Sequence, residues 1–135
     1  MTLLVKAFIG LSAATLIWAG AASLLQQAPT ESSRIINPLD GDQQACMAGA
    51  KLYARDCAAC HGPNREGLGK APPLNRSDVS HATPGALFWV LRNGSFRRGM
   101  PSFAHLPEPQ RWQIITWLRH VNEQASTDQA INGKR

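Results

Sequence analysis

Residues 55–62 read RDCAACHG, with Cys57 and Cys60 three positions apart and His61 following at once. No other stretch restricts the fold as strongly. Residues three apart on a helix share a face, so one turn presents both thiols in the same direction and projects an imidazole from the next position. The chain has 135 residues and one further cysteine, Cys46. An odd count argues against a plain disulfide framework, so something else uses two of the three.

The chain's start indicates the compartment. After Lys6, residues 7–25 (AFIGLSAATLIWAGAASLL) carry no charge, and the next charged residue is Glu31. A short basic start, an apolar stretch and small residues at Ala19-Gly20-Ala21 make an export signal with a cleavage site. The same residues as a helix would span about 28 Å, close to the hydrocarbon thickness of a bilayer, so they serve equally as a retained anchor. Both readings place the remainder in the periplasm, soluble or held at the outer face of the inner membrane. A buried core helix is the weaker reading, because a helix apolar on all sides is hard to pack in so small a protein.

Residues 26–42 (QQAPTESSRIINPLDGD) read as a linker or surface-hugging arm. Asp42 is placed to cap a first helix over 43–57, whose Cys46, Gly49, Ala50, Tyr53 and Cys57 fall on one face. Residues 62–83 hold Gly and Pro without an apolar period. Thr83, Pro84 and Gly94 punctuate a second helix over 84–93. A third begins at Pro107, with Ile114, Trp117, Leu118 and Val121 striping one side, and residues 123–135 read as a polar, frayed tail. The expectation is an all-α fold with three main helices over 43–122. Its two long loops, 62–83 and 93–106, exceed what three short helices can bury, and a large apolar cofactor would supply the missing core.

Cys-x-x-Cys-His is the attachment pattern of c-type haem. The two thiols add to the porphyrin vinyl groups as thioethers, and the imidazole of His61 meets the iron. The competing readings lack support. A zinc site needs a second ligand pair, while His81, His105 and His120 are scattered singly. A thioredoxin-like pair needs strand–helix alternation, which is absent. The candidate for the sixth iron ligand is Met100, 39 residues after His61 in RGMPSF and stiffened by Pro101. His81 and His105 are rivals for that role. Met47 reads as a packing residue and His120 as a solvated histidine near a helix end. A His/Met pair raises the reduction potential relative to two histidines, and with both axial positions filled the iron is suited to electron transfer, not substrate chemistry.

CAACH, the downstream GMP and an aromatic-bearing C-terminal helix together resemble a small single-haem class I cytochrome c over residues 43–122. The resemblance implies one covalent haem c and its iron, held within three helices and long loops. It implies that Gly49 permits close helix crossing, that Tyr53 packs near Trp117, and that the Pro72 carbonyl accepts a hydrogen bond from the His61 ring, with Pro73 the rival. It implies that Leu74 touches the porphyrin. LFWVLRNG, RRGMPSF and LPEPQRWQIITWLR look like the subgroup serving periplasmic quinoprotein dehydrogenases or feeding terminal oxidases. Cys46 departs from the pattern and reads as a buried inert thiol, with an intermolecular disulfide the alternative.

The formal net charge is +5, without a Lys/Arg-rich tract, which excludes a nucleic-acid binder. Arg92, Arg97 and Arg98 cluster just before Met100 and would present a positive rim to an acidic donor or acceptor. The functional expectation is a periplasmic one-electron carrier between a dehydrogenase-type donor and an acceptor such as a terminal oxidase, and not an enzyme. The alternatives are a fixed haem c subunit of a membrane-associated oxidoreductase, and a gas sensor or peroxidase with a labile sixth ligand.

Overall fold

Helix signals in the sequence act where they stand. In a computed structural model describing residues 24–133, the Asp42 carboxylate accepts from the Ala45 N–H (3.0 Å) and opens α1, Gln43–Asp56. Thr83 accepts from the Ala86 N–H (3.2 Å) and Pro84 takes the first position of α4, Pro84–Asn93, which stops at Gly94. Between them lie two single turns, α2 (Ala58–His61) and α3 (Ser77–Ser80). The last helix, α5, runs Glu108–Asn132. Among the described residues there is no strand, and one isolated antiparallel bridge joins Ser95 to Met100. The fold is all-α, with α1, α4 and α5 as its major helices.

α1 crosses α5 at Gly49. A Cβ there would overlap the Gln113 carbonyl and stand 2.8 Å from Trp117 Cβ, so the two backbones meet directly. Beside the crossing, the Tyr53 and Trp117 rings lie 4.5 Å apart between centroids. The buried stripe of α1 is Ala45, Gly49, Leu52 and Tyr53. It differs from the expected stripe: Cys46 and Ala50 are only half-buried. Leu52 has more apolar surface to bury than Cys46 has, and it takes the inward position.

Two apolar clusters form. Leu52, Tyr53, Cys57, Phe103, Leu106 and Ile114 make one. Val79, Leu87, Phe88, Trp112, Ile115 and Leu118 make the other, where the Phe88 and Trp112 rings stack at 4.2 Å. Residues 26–42 hug the surface, and Leu39, with Leu25 just before the segment, packs on the second cluster. Asn37 is buried and donates from Nδ2 to Thr116 Oγ1 (2.8 Å). The Ser32 carbonyl occupies the space a side chain at Gly85 would need.

The polar tail is a correction. Residues 123–132 continue α5 as exposed helix instead of fraying. Glu, Gln and Ala favour helix and no Gly or Pro intervenes before Gly133. His120 is therefore an exposed residue within the helix and not a last-turn histidine. Residues 1–23 lie outside the described residues, and with them nearly all of the signal or anchor segment 7–25. No helix among the described residues is long and apolar enough to cross a membrane.

The crossing sets a prediction. Gly49→Ala forces the backbones apart and lowers stability by about 1–3 kcal/mol, the usual cost of overpacking. Urea unfolding measures this, and an unchanged midpoint would show that the crossing has slack.

Candidate haem site

α1 breaks at Cys57, whose N–H still donates to Tyr53 O (2.9 Å), and α2 carries Cys60 and His61 round one turn. Gly62 ends that turn with φ +81°, a conformation open to glycine. Tyr53 Oη donates to the Gly62 carbonyl (2.7 Å), pinning the turn to α1. Cys57 is buried in the first cluster, Cys60 is exposed, and neither is in a disulfide. Burial, then the nearby Asp56 and Cys60, pushes the Cys57 thiol up to about 12. Among the described residues no group of three or more His, Cys, Asp or Glu is placed to hold a metal ion.

His61 is half-buried and its Nδ1 lies 2.8 Å from the Pro72 carbonyl. A carbonyl only accepts, so Nδ1 carries a hydrogen, and in the neutral ring that leaves the lone pair on Nε2. The loop folds back onto the cysteine turn through Gly67 N–H to His61 O (2.8 Å) and Leu68 N–H to Cys60 O (3.1 Å). Leu74 N–H donates to Arg65 O (2.8 Å), and Leu74 O accepts from Asn122 Nδ2 (3.0 Å). Arg65 bonds the Asn122 carbonyl oxygen and lies over the Trp117 ring, 5.8 Å from its centroid.

Met100 is presented by a short pinned loop. Ser95 N–H donates to Met100 O (2.8 Å) and Met100 N–H to Ser95 O (3.1 Å). The turn Phe96–Arg98 lies between them. Met100, Leu74, Leu91, Trp117 and Ala58 all pack on the cluster that contains Cys57. Of the two rival histidines, His105 lies near the cysteine turn, against Phe103 of the Cys57 cluster and close enough to Asp56 to act on its charge. His81 Nδ1 meets Ser77 O (2.7 Å) within the α3 turn; both histidines are exposed. Arg92, Arg97 and Arg98 are exposed, next to a Phe96 that is 98 % exposed. Cys46 corrects the expected buried thiol: it half-lines a groove with Thr116, His120 and Glu123, and what burial it has raises its pKa.

The donor set fits a covalently held haem. It comprises two thiols outside any disulfide, an imidazole whose Nδ1 is taken up by Pro72 O, and a thioether that packs on the apolar cluster of Cys57. Sequence reasoning missed Arg65, Arg111 and Asn122, the polar residues that fasten the two loops.

Residues 44–118 match the family described as cytochrome c oxidase, cbb3-type, subunit III. A curated relative, the quinohaemoprotein alcohol dehydrogenase ADH-IIG of Pseudomonas putida, is 32% identical over 92 residues, which cover 68% of this chain and 12% of the relative. This chain thus corresponds to a small part of that protein's length. With the family match covering more than half of its residues, the chain belongs to the cytochrome c oxidase, cbb3-type, subunit III family, as a haem-associated, electron-carrying respiratory component.

Proposed function

We propose that the chain is a periplasmic haem c domain acting as a fixed electron-transfer subunit of a membrane-associated oxidoreductase. The observation that carries this reading is the cysteine turn: Cys57 is buried, and the His61 Nδ1 is tied to Pro72 O at 2.8 Å. Membership of an oxidase-subunit family, and likeness to a segment of a much longer dehydrogenase, favour a subunit over a free carrier.

Bound haem c would supply a one-electron ferric/ferrous couple. In this reading Cys57 and Cys60 would tether it as thioethers, while His61 Nε2 and the Met100 sulfur would hold its iron. The Pro72 carbonyl fixes the imidazole plane and raises its basicity, and Leu74 walls the porphyrin. Residues 7–25 give attachment to the membrane, 26–42 the arm, 43–122 the haem domain and 123–135 the polar extension. Donor and acceptor are redox proteins.

The free shuttle is the second reading, favoured by the exposed Arg92, Arg97 and Arg98, which would meet an acidic docking face. Cell fractionation separates the two. A fixed subunit stays with the membrane fraction until detergent is added, whereas a shuttle is released with the soluble periplasm.

Expression alongside a c-type maturation system should yield a red protein whose mass exceeds the polypeptide's by one haem and whose colour resists acidic acetone. Met100→Ala should remove the weak far-red band that marks sulfur–iron bonding and lower the reduction potential. A colourless product overturns the cofactor assignment, and a band that survives Met100→Ala overturns the axial one.

The arginine rim sets a kinetic prediction. Oxidation of the reduced protein by ferricyanide, a small anion, slows as salt shortens the Debye length from about 30 Å at 0.01 M to about 8 Å at 0.15 M. Replacing Arg97 and Arg98 together by Ala flattens that dependence, and a double variant as salt-sensitive as the wild type rules out the rim.

A further inference from the structure

Of the three polar side chains that α5 buries, Arg111, Thr116 and Asn122, the first and last bond the two long loops. Arg111 is 7 % exposed and Asn122 is 4 % exposed. They are eleven residues apart, about three helical turns, and so share one face. Burying a guanidinium or an amide is costly unless its hydrogen bonds are met; Arg111 Nε has no partner, and the groups that Arg111 Nη1 and Asn122 bond indicate their task.

Arg111 Nη1 donates to the carbonyls of Leu106 (2.8 Å), Ala104 (3.1 Å) and Phe103 (3.4 Å). Its guanidinium carbon lies 4.8 Å from the centre of the Phe88 ring. The three carbonyls belong to the irregular stretch that follows Met100. The same stretch is fastened to α4 by Phe103 N–H to Leu91 O (2.8 Å) and Ser102 Oγ to Arg92 O (2.6 Å). Arg111 thus ties the Met100 side to α5 while these two bonds tie it to α4.

Asn122 works on the other loop. Its Nδ2 donates to Leu74 O (3.0 Å), and its Oδ1 accepts from Arg65. Leu74 N–H donates to Arg65 O (2.8 Å), which closes a ring of three residues. Arg65 holds φ +63°, a left-handed conformation that costs an L residue energy and persists where neighbours enforce it. Two residues before Leu74 is Pro72, whose carbonyl meets His61 Nδ1. Releasing Leu74 therefore releases the partner of the imidazole.

We propose that Arg111 and Asn122 are positioning residues: Arg111 fixes the loop that presents Met100, and Asn122 fixes the loop whose Pro72 carbonyl orients His61. This rests on His61 and Met100 being the axial ligands. The two residues then pull the potential in opposite directions. Loosening the sulfur removes a ligand that favours ferrous iron, so the potential falls. Loosening the carbonyl makes the imidazole a poorer donor to ferric iron, so the potential rises.

The test uses the full chain with haem attached and four variants: Arg111→Met, Arg111→Lys, Asn122→Leu and Asn122→Asp. Arg111→Met should lower the midpoint potential, weaken the far-red sulfur band and tighten imidazole binding to the ferric protein by about tenfold. Arg111→Lys, which keeps a charged donor, should recover part of each change. Asn122→Leu and Asn122→Asp should raise the potential and keep the band; Asp retains the acceptor for Arg65 but loses the donor to Leu74. Should the larger replacements fail to fold, Arg111→Lys and Asn122→Asp carry the comparison. Lower melting temperatures with unmoved potentials, or shifts of one sign at both positions, overturn the proposal. A wild-type ferric protein without the sulfur band overturns its premise instead, a separate failure visible before any variant is made.

Discussion

At the α1–α5 crossing the two chains touch through backbone, because Gly49 places no side chain between them. This contact sets where everything else lies. It brings Tyr53 against Trp117, and the Tyr53 hydroxyl reaches past the end of α1 to the Gly62 carbonyl. The cysteine turn is held at its far end by a residue of the crossing itself. Burial raises the phenol to about 12; like any tyrosine it is a protonated donor at neutral pH. Trp117 in turn carries Arg65, which belongs to the loop that returns to His61. One steric fact at residue 49 thus reaches the imidazole through four contacts.

α5 extends that order along its length. Its buried half contributes Ile114 to one cluster and Trp112, Ile115 and Leu118 to the other, so both clusters share one rigid wall. Alongside these apolar residues it buries Arg111, Thr116 and Asn122, each bonded to backbone or side chains of an irregular segment. Irregular backbone lacks the internal bonds of helix, and its buried polar groups must find partners elsewhere. The polar residues of α5 supply them, which is how a chain with three major helices can hold two long loops still.

The cysteine turn was legible because its chemistry is contained in five consecutive residues. The helix starts were legible for a similar reason: Asp42 and Thr83 act on N–H groups three positions away. Arg111 and Asn122 were not, because nothing local marks them. Asn122 finds its partners 48 and 57 residues away, and Arg111 binds carbonyls in a segment without periodicity. Residues 123–132 misled because polarity suggests fraying, while their helix propensity is good and no breaker precedes Gly133. Cys46 misled because the spacing of small residues on α1 fits two neighbouring stripes, and the bulk of Leu52 decides between them only once α5 is in place.

The arm before α1 bears on how such a domain is used. A carrier that swings between partners on a tether needs slack, since a flexible linker lets its load sample a volume that grows with length. Here the slack is taken up. Leu25 and Leu39 join the second cluster, Ser32 sits against Gly85, and Asn37 is buried on Thr116. Whatever precedes residue 24 connects to a segment already strapped to α4 and α5. On the reading proposed above, in which residues 7–25 attach the chain to the membrane, that attachment would lead directly into the strapped segment. That arrangement suits a subunit passing electrons at one fixed position better than a diffusing shuttle, and it gives the 26–42 stretch a purpose that its composition alone does not reveal.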